Sequence, residues 1–251
     1  MTAPSRQGLP TGHAVFARYA FPPNELGYCG PADADVLLRA EDATEVAAHA
    51  KEFDGAWPYL RAIADAAGID NGLDADVVGS YWVGGPLLSR VEPASLLDSL
   101  RSAFAGQATG LLGSLASADG VLAHHSFHVF VVYPWVRFLD RDPATALKVL
   151  QDCRIRWGTV DSVDDEHVVM LSRPLAYPAG SLALGEPTAE RVRWSKEGAS
   201  LITAPTPGET VSAHWDWVCS TLTDDETGAL ADATHTTLDL VNAARERGRD
   251  Q

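Results

Sequence analysis

Three cysteines, Cys29, Cys153 and Cys219, and a run of three histidines, His124, His125 and His128, are the side chains here best suited to chemistry. Cys153 lies in "QDCRIRWGTVDSVDDEHVVM", residues 151–170, between a helical pattern and a β-branched one. A thiolate is a soft metal ligand and an imidazole a borderline one. A thiol with an ordinary pKa of about 8.5 is only slightly ionised at neutral pH. Arg154 and Arg156 would lower that value, while Asp152 opposes them. In "HHSFHVFVVYPW", His124 and His128 are four apart and share a face if the segment is a helix, and His125 and His128 are three apart. As a strand, the segment would keep His124 and His128 together and turn His125 away. Such a pair can hold a metal or a haem, with Tyr133 and Trp135 walling a pocket. No Glu completes a His-Glu-x-x-His motif, so a zincin is excluded. Gly84-Gly85-Pro86 lacks the flanking residues of a phosphate loop and reads as a turn. Cys29, His124 and His128 therefore form one candidate site. The blander reading makes the histidines polar rungs of a core element and Cys29 a loop thiol. Cys219 sits in an apolar strand and reads as core.

The elements around these residues change character partway along the chain. "DATEVAAHAKEFDGAWPYLRAIADAAG" has helical spacing and ends at Gly68. "EPASLLDSLRSAF" places Leu96, Leu97 and Leu100 on one face behind Pro93. "RDPATALKVLQD" starts on Asp142 as N-cap and Pro143 as first residue, and ends near Cys153. Then the period falls to two. "IRWGTVDSV" and "EHVVML" read as strands about an acidic turn at Asp164-Asp165, and "RVRWS" and "ETVSAHWDWV" alternate likewise. Thr223 and Glu226 form a capping box ahead of a last helix, with Leu230, Ala233, Thr237, Leu240 and Val241 on one face. "FARYAFPPNELGYCGP", residues 16–31, reads as an extended, turning segment because of Pro22-Pro23 and its glycines. The chain is therefore read as α+β: a mainly helical part, residues 1–151, and a small β-barrel with a C-terminal helix, residues 152–251. No Gly/Ser/Pro linker separates the two, so they are expected to pack together.

The bulk composition narrows the functions. A net charge of -15 repels nucleic acid and anionic membrane surfaces. The most apolar run, "FHVFVVYPWV", is half the length of a membrane span, which takes about 20 residues. "MTAPSRQGLPTGH" has no apolar leader core. An odd number of cysteines without framework spacing points to a reduced, cytoplasmic protein.

The pattern Cys-x-x-x-x-Gly-x-Val (Cys153, Gly158, Val160) and the later "GETVSAH" (Gly208, Glu209, Val211, His214), followed by a terminal helix, resemble the HypC-type chaperones of [NiFe]-hydrogenase maturation. The resemblance covers the last hundred residues or so. It implies an OB-like barrel, with Cys153 and His214 as the residues that hold an Fe(CN)2CO fragment. It implies as partners a HypD-like scaffold protein and the hydrogenase large-subunit precursor, met through Arg154, Trp157 and Trp215 beside the ligands. The chain departs from the family in three ways. Its cysteine follows 152 residues and has no free α-amine, Trp157 replaces a proline, and "WDWVC" replaces an apolar Gly-containing run. Residues 16–31 resemble the start of an uncharacterised actinobacterial family associated with hydrogenase gene clusters. Two rivals stand beside the maturation factor. One is a metal- or haem-dependent enzyme built on Cys29, His124 and His128; the other is a structural adaptor without metal chemistry.

Overall fold

A computed structural model describes residue 9 and residues 11–249. The stretch read as lacking a leader falls largely on residues 1–8 and 10, outside the described residues. Helices come first: α1 (Thr11–Glu25), α2 (Asp35–Arg39), α3 (Ala43–Lys51), α4 (Trp57–Ala67), α5 (Ala75–Trp82), α6 (Pro93–Ala103), a single turn α7 (His125–Phe127) and α8 (Pro143–Cys153). Strands follow: β1 (Arg156–Val163), β2 (His167–Ser172), β3 (Leu175–Ala176), β4 (Ala183–Leu184), β5 (Thr188–Arg193), β6 (Ser195–Lys196), β7 (Ala199–Ser200), β8 (Thr210–His214) and β9 (Trp217–Thr221). The long helix α9 (Asp224–Arg249) ends the described chain. The expected α+β succession holds. No described helix is long and apolar enough to cross a membrane.

The predicted caps form as the side chains dictate. Asp142 accepts from the Thr145 amide and Pro143 opens α8. Gly68 closes α4 in the left-handed region, where a side chain would be strained. Thr223 and Glu226 exchange hydrogen bonds at 2.8 and 3.2 Å ahead of α9. Asp164 Oδ1 accepts from the Glu166 and His167 amides in the β1–β2 turn. Pairings β1–β2–β5–β9–β8–β1 close five strands into a barrel filled by Val160, Val168, Met170, Val192, Val211, Ala213 and Val218. The β5–β9 contact that completes the ring is one parallel pair, Arg193 with Trp217.

At Gly158 the neighbouring strand comes very close: an added Cβ would stand 2.5 Å from the Leu171 carbonyl oxygen. Gly158→Ala should therefore push β1 from β2 and cost about 1–3 kcal/mol, measurable as a lowered urea midpoint with unchanged slope.

Three expectations fail locally, each because tertiary packing overrides a sequence signal. The Ala-rich stretch breaks into α3 and α4 at Glu52–Ala56, where Phe53 turns into the core. "ETVSAHWDWV" is a hairpin, not one strand, with Trp215 in the left-handed region at φ 50°. Residues 16–25 are helical rather than extended, because Phe16, Ala17, Tyr19, Ala20 and Phe21 are all buried on that helix. The boundary expected at 151/152 falls inside α8, and one apolar core runs from Phe16 through Cys153 and Trp217 to Val241. The last helix packs away from the barrel interior. Its Thr237 hydroxyl bonds Ser126 at 2.8 Å, its Asn242 bridges Leu182, and its Arg245 donates to the Val136 carbonyl at 3.0 Å.

Candidate metal centre

Where α8 ends, where the β8–β9 hairpin turns and where α7 begins, three side chains converge. His125, Cys153 and His214 each bring a donor atom within 4.8 Å of the others', and all three residues are buried. They line a cavity of about 30 Å³, room for one water or one metal ion, whose other walls include Pro23, Cys29, Tyr81, Trp82, His128 and Tyr133.

Each donor is aimed by backbone chemistry. In a helix the carbonyl of residue 19 accepts from the amide of residue 23, which here is Pro23 and has no N–H. The freed Tyr19 carbonyl accepts instead from His214 Nδ1–H at 2.7 Å. That bond leaves Nε2 of His214 as a bare lone pair, fully buried and without a hydrogen-bond partner. Cys153, the last residue of α8, likewise has a carbonyl with no helical partner, and it accepts from His125 Nε2–H at 2.9 Å. His125 Nδ1 then faces the ring's other polar neighbour. It lies 3.1 Å from the Tyr81 hydroxyl, which already donates to the Gly55 carbonyl at 2.7 Å. Two imidazoles, each pinned through one nitrogen by a backbone carbonyl, is an arrangement by which proteins orient metal-ligating histidines, and in His214 the other nitrogen is left without a partner.

Arg156 ties the end of α8, the β8–β9 hairpin and β5 together. It donates to the Gln151 and Asp152 carbonyls at the end of α8, to the Trp215 carbonyl in the hairpin turn, and to Glu190 on β5 at 2.8 Å. Charge on a helix C-terminus and satisfaction of its carbonyls act together here. The strained Trp215 is clamped from the other side, its amide donating to the Asp152 carbonyl at 2.8 Å.

Burial sets the protonation states. It holds His125 down to about 4 against the opposing Cys153 carbonyl. It holds His214 well below its ordinary value, aided by neighbouring His125 and opposed by the Tyr19 carbonyl. The Cys153 carbonyl also lies near His214 without satisfying its Nε2. The Cys153 thiol is pushed far up by burial, then by Cys29 and Asp152. The Trp215 indole and Arg156 counter this only weakly, and that indole N–H makes no hydrogen bond of ordinary geometry. The arginine effect expected at this thiol is thus outweighed by desolvation. At neutral pH and without a metal, the cluster is two neutral imidazoles and a protonated thiol; a bound cation would expel the thiol proton. A thiolate with two imidazoles is a donor set that fits a transition metal and not a hard cation. The three residues can hold a metal ion.

The two sites expected from the sequence are therefore one. Cys29 and His128 line the same cavity as Cys153 and His214. His124 does not: it caps α7, with Nδ1 accepting from the Ser126 amide at 3.0 Å. Its place is taken by His125, because the segment is one helical turn followed by a π-helical turn over His128–Val132, not a regular helix or a strand. The i, i+3 spacing of His125 and His128 was the signal that marked it. Tyr81 and Trp82 carried no local signal as site residues, and Arg156 was marked only by its nearness to Cys153 in the chain. Arg154 and Trp215, expected to meet a partner, are buried. Arg154 donates to Gln151 and the Arg173 carbonyl, and Trp215 packs on Tyr28 with ring centroids 4.1 Å apart and the planes tilted by 32°. Trp157 is half-buried under the Arg154 guanidinium. Cys219 is fully buried in the core, as its strand implied.

Pro23→Ala would return an amide to the Tyr19 carbonyl and compete with His214 for it. The fold should survive, while metal affinity should fall by about 10–100-fold, the usual cost of losing an outer-shell partner, read by competition titration against a chromophoric chelator.

No curated protein and no solved structure matches the chain. A family profile does match it, over residues 8–248, so the chain belongs to the family of unknown function DUF6390.

Proposed function

We propose that this protein is a metal-handling assembly factor that works in the manner of the HypC-type chaperones, holding an iron centre in transit for a hydrogenase. One observation carries the reading. Cys153 and His214, which the resemblance singles out on two separate motifs, stand in a single buried cavity with a third donor, His125, added from the helical part. The closed five-stranded sheet also suits an OB-like barrel. In this reading the Fe(CN)2CO fragment is cargo, Cys153 supplies the soft anionic ligand, and His214 and His125 supply neutral ones. A HypD-like scaffold and the large-subunit precursor are the donor and acceptor. None of the three cysteines is in a disulfide, which suits a reducing cytoplasm. A cavity of about 30 Å³ fits one atom, so taking in iron with three diatomic ligands requires its wall to move.

That closure favours a second reading, a metal resident in an enzyme, since buried donors behind aromatic walls suit retention better than transfer. The separating experiment is affinity purification from a host expressing a [NiFe]-hydrogenase, with metal analysis and measurement of hydrogenase activity in cells carrying variants at matched protein levels. The assembly role predicts co-purification of the precursor, loss of maturation in Cys153→Ala and His214→Ala, and normal maturation in Cys219→Ala. Full maturation with Cys153→Ala contradicts it. Stoichiometric metal retained without any partner favours the resident centre.

A further inference from the structure

The buried donors have a neighbour that does not belong to their trio. Cys29 sits on the loop after α1, half-buried, between Gly27 and Gly30, both in the left-handed region. It lines the inner cavity and also an outer cleft of about 260 Å³. Cys153, His125 and His214 line only the inner space. The outer cleft carries two exposed carboxylates, Glu52 and Asp54, on a chain whose net charge is -15. Negative charge at a cleft concentrates cations there. A different cleft adjoins on the far side of the Tyr28–Trp215 ring pair, but it carries no thiol or imidazole. Inside, the unpartnered Nε2 of His214, on a fully buried residue, supplies the independent sign that the cavity receives a ligand.

The geometry assigns Cys29 as the capture ligand, through which a thiophilic divalent cation passes from the acidic cleft to His125, Cys153 and His214. The assignment rests on reading those three residues as a metal site, and it adds the route in and the residue that serves it. The protons balance. Cys29 releases one to solvent when its sulfur takes the cation. On transfer the Cys153 thiol loses its proton as the metal–sulfur bond forms there, and Cys29 regains one as its own bond breaks. The net release is one proton per ion, with no redox change. Gly55 keeps the shared wall thin: a Cβ there would stand 2.8 Å from His128 Nε2.

The test is stopped-flow loading of the metal-free protein with Co²⁺, followed by the sulfur-to-cobalt charge-transfer absorption, in wild type, Cys29→Ala, Cys29→Ser and Cys153→Ala. Both Cys29 variants should load at least tenfold more slowly, yet reach the wild-type stoichiometry and the wild-type band intensity. The double variant Glu52→Gln/Asp54→Asn should load more slowly and lose the salt dependence of the rate. Wild-type rates in either Cys29 variant overturn the assignment. A final band intensity cut by half overturns it too, since Cys29 would then be a permanent ligand. Cys153→Ala should lack the band of the loaded site. If it loads as the wild type does, or if the wild type takes up no Co²⁺, the metal site itself fails, and the route with it.

Discussion

The Cys153→Ala variant should fold as the wild type does and bind a thiophilic metal ion at least about 100-fold more weakly, because loss of even an outer-shell partner costs about 10–100-fold and Cys153 is the trio's only anion. Cys153 is 8% exposed and packs at the junction of α8 and β1, so removing its sulfur leaves a small gap. That should cost roughly 1 kcal/mol, a minor part of a domain stability of about 5–15 kcal/mol. Its backbone carbonyl survives the substitution, so His125 stays oriented. Calorimetric titration with Zn²⁺ alongside urea unfolding separates the two quantities. An unchanged affinity would remove the sulfur from the site, and a collapse of stability would make Cys153 a packing residue.

The metal-free protein should lose stability in acid with unusual steepness. His124, His125, His128 and His214 are all held below their ordinary values by burial, the first three to about 3, about 4 and about 3. The sign follows from linkage. Each imidazole takes a proton in the unfolded chain near pH 6.5, but not in the folded one until the pH is far lower. Stability is therefore complete above about pH 6.5 and is lost as pH falls below it, until the folded groups titrate in turn. Four such groups together give a limiting slope of roughly 5 kcal/mol per pH unit, enough to exhaust a typical domain before pH 4. Urea midpoints in chelator-treated buffer between pH 7.5 and 4.5 measure it. His124→Asn keeps a polar cap on α7, and it should flatten the slope by about one proton. A pH-independent midpoint across that range would show that the cluster is already accessible to water.

The parts of this fold that were legible in the sequence are those fixed by neighbours along the chain. Asp142-Pro143 start α8, Gly68 stops α4, Thr223 and Glu226 cap α9, and the turn at Asp164 splits two β-branched runs, all through local hydrogen bonds. The site was half legible. Cys153 and His214 could be matched to motifs, and Cys29 and His128 stood out by residue type. Their union could not be read, because it depends on α1 lying against β8 and on α7 lying against α9. The spacing of three between His125 and His128 was visible, but the π-helical turn that follows α7, and with it the exclusion of His124, was not. Pro22-Pro23 misled for an instructive reason. Prolines near the end of a helix cost two amides, but one of the carbonyls they release is the one that His214 uses. A signal that argues against regular structure here marks where the helix serves the site. The aromatic and cationic residues Trp157, Trp215 and Arg154 looked like a partner surface because their types are common at interfaces; Arg154 and Trp215 are instead buried, and Trp157 is half-buried beneath the Arg154 guanidinium.

The central claim is that His125, Cys153 and His214 hold one metal ion. X-ray absorption at the zinc edge, on protein loaded with one equivalent of Zn²⁺, addresses it most directly. The spectrum should show one sulfur at about 2.3 Å and two imidazole nitrogens at about 2.0–2.1 Å, with the sulfur scatterer absent in Cys153→Ala. A first shell of oxygen and nitrogen without sulfur in the wild type, or failure to retain the ion at all, would contradict it.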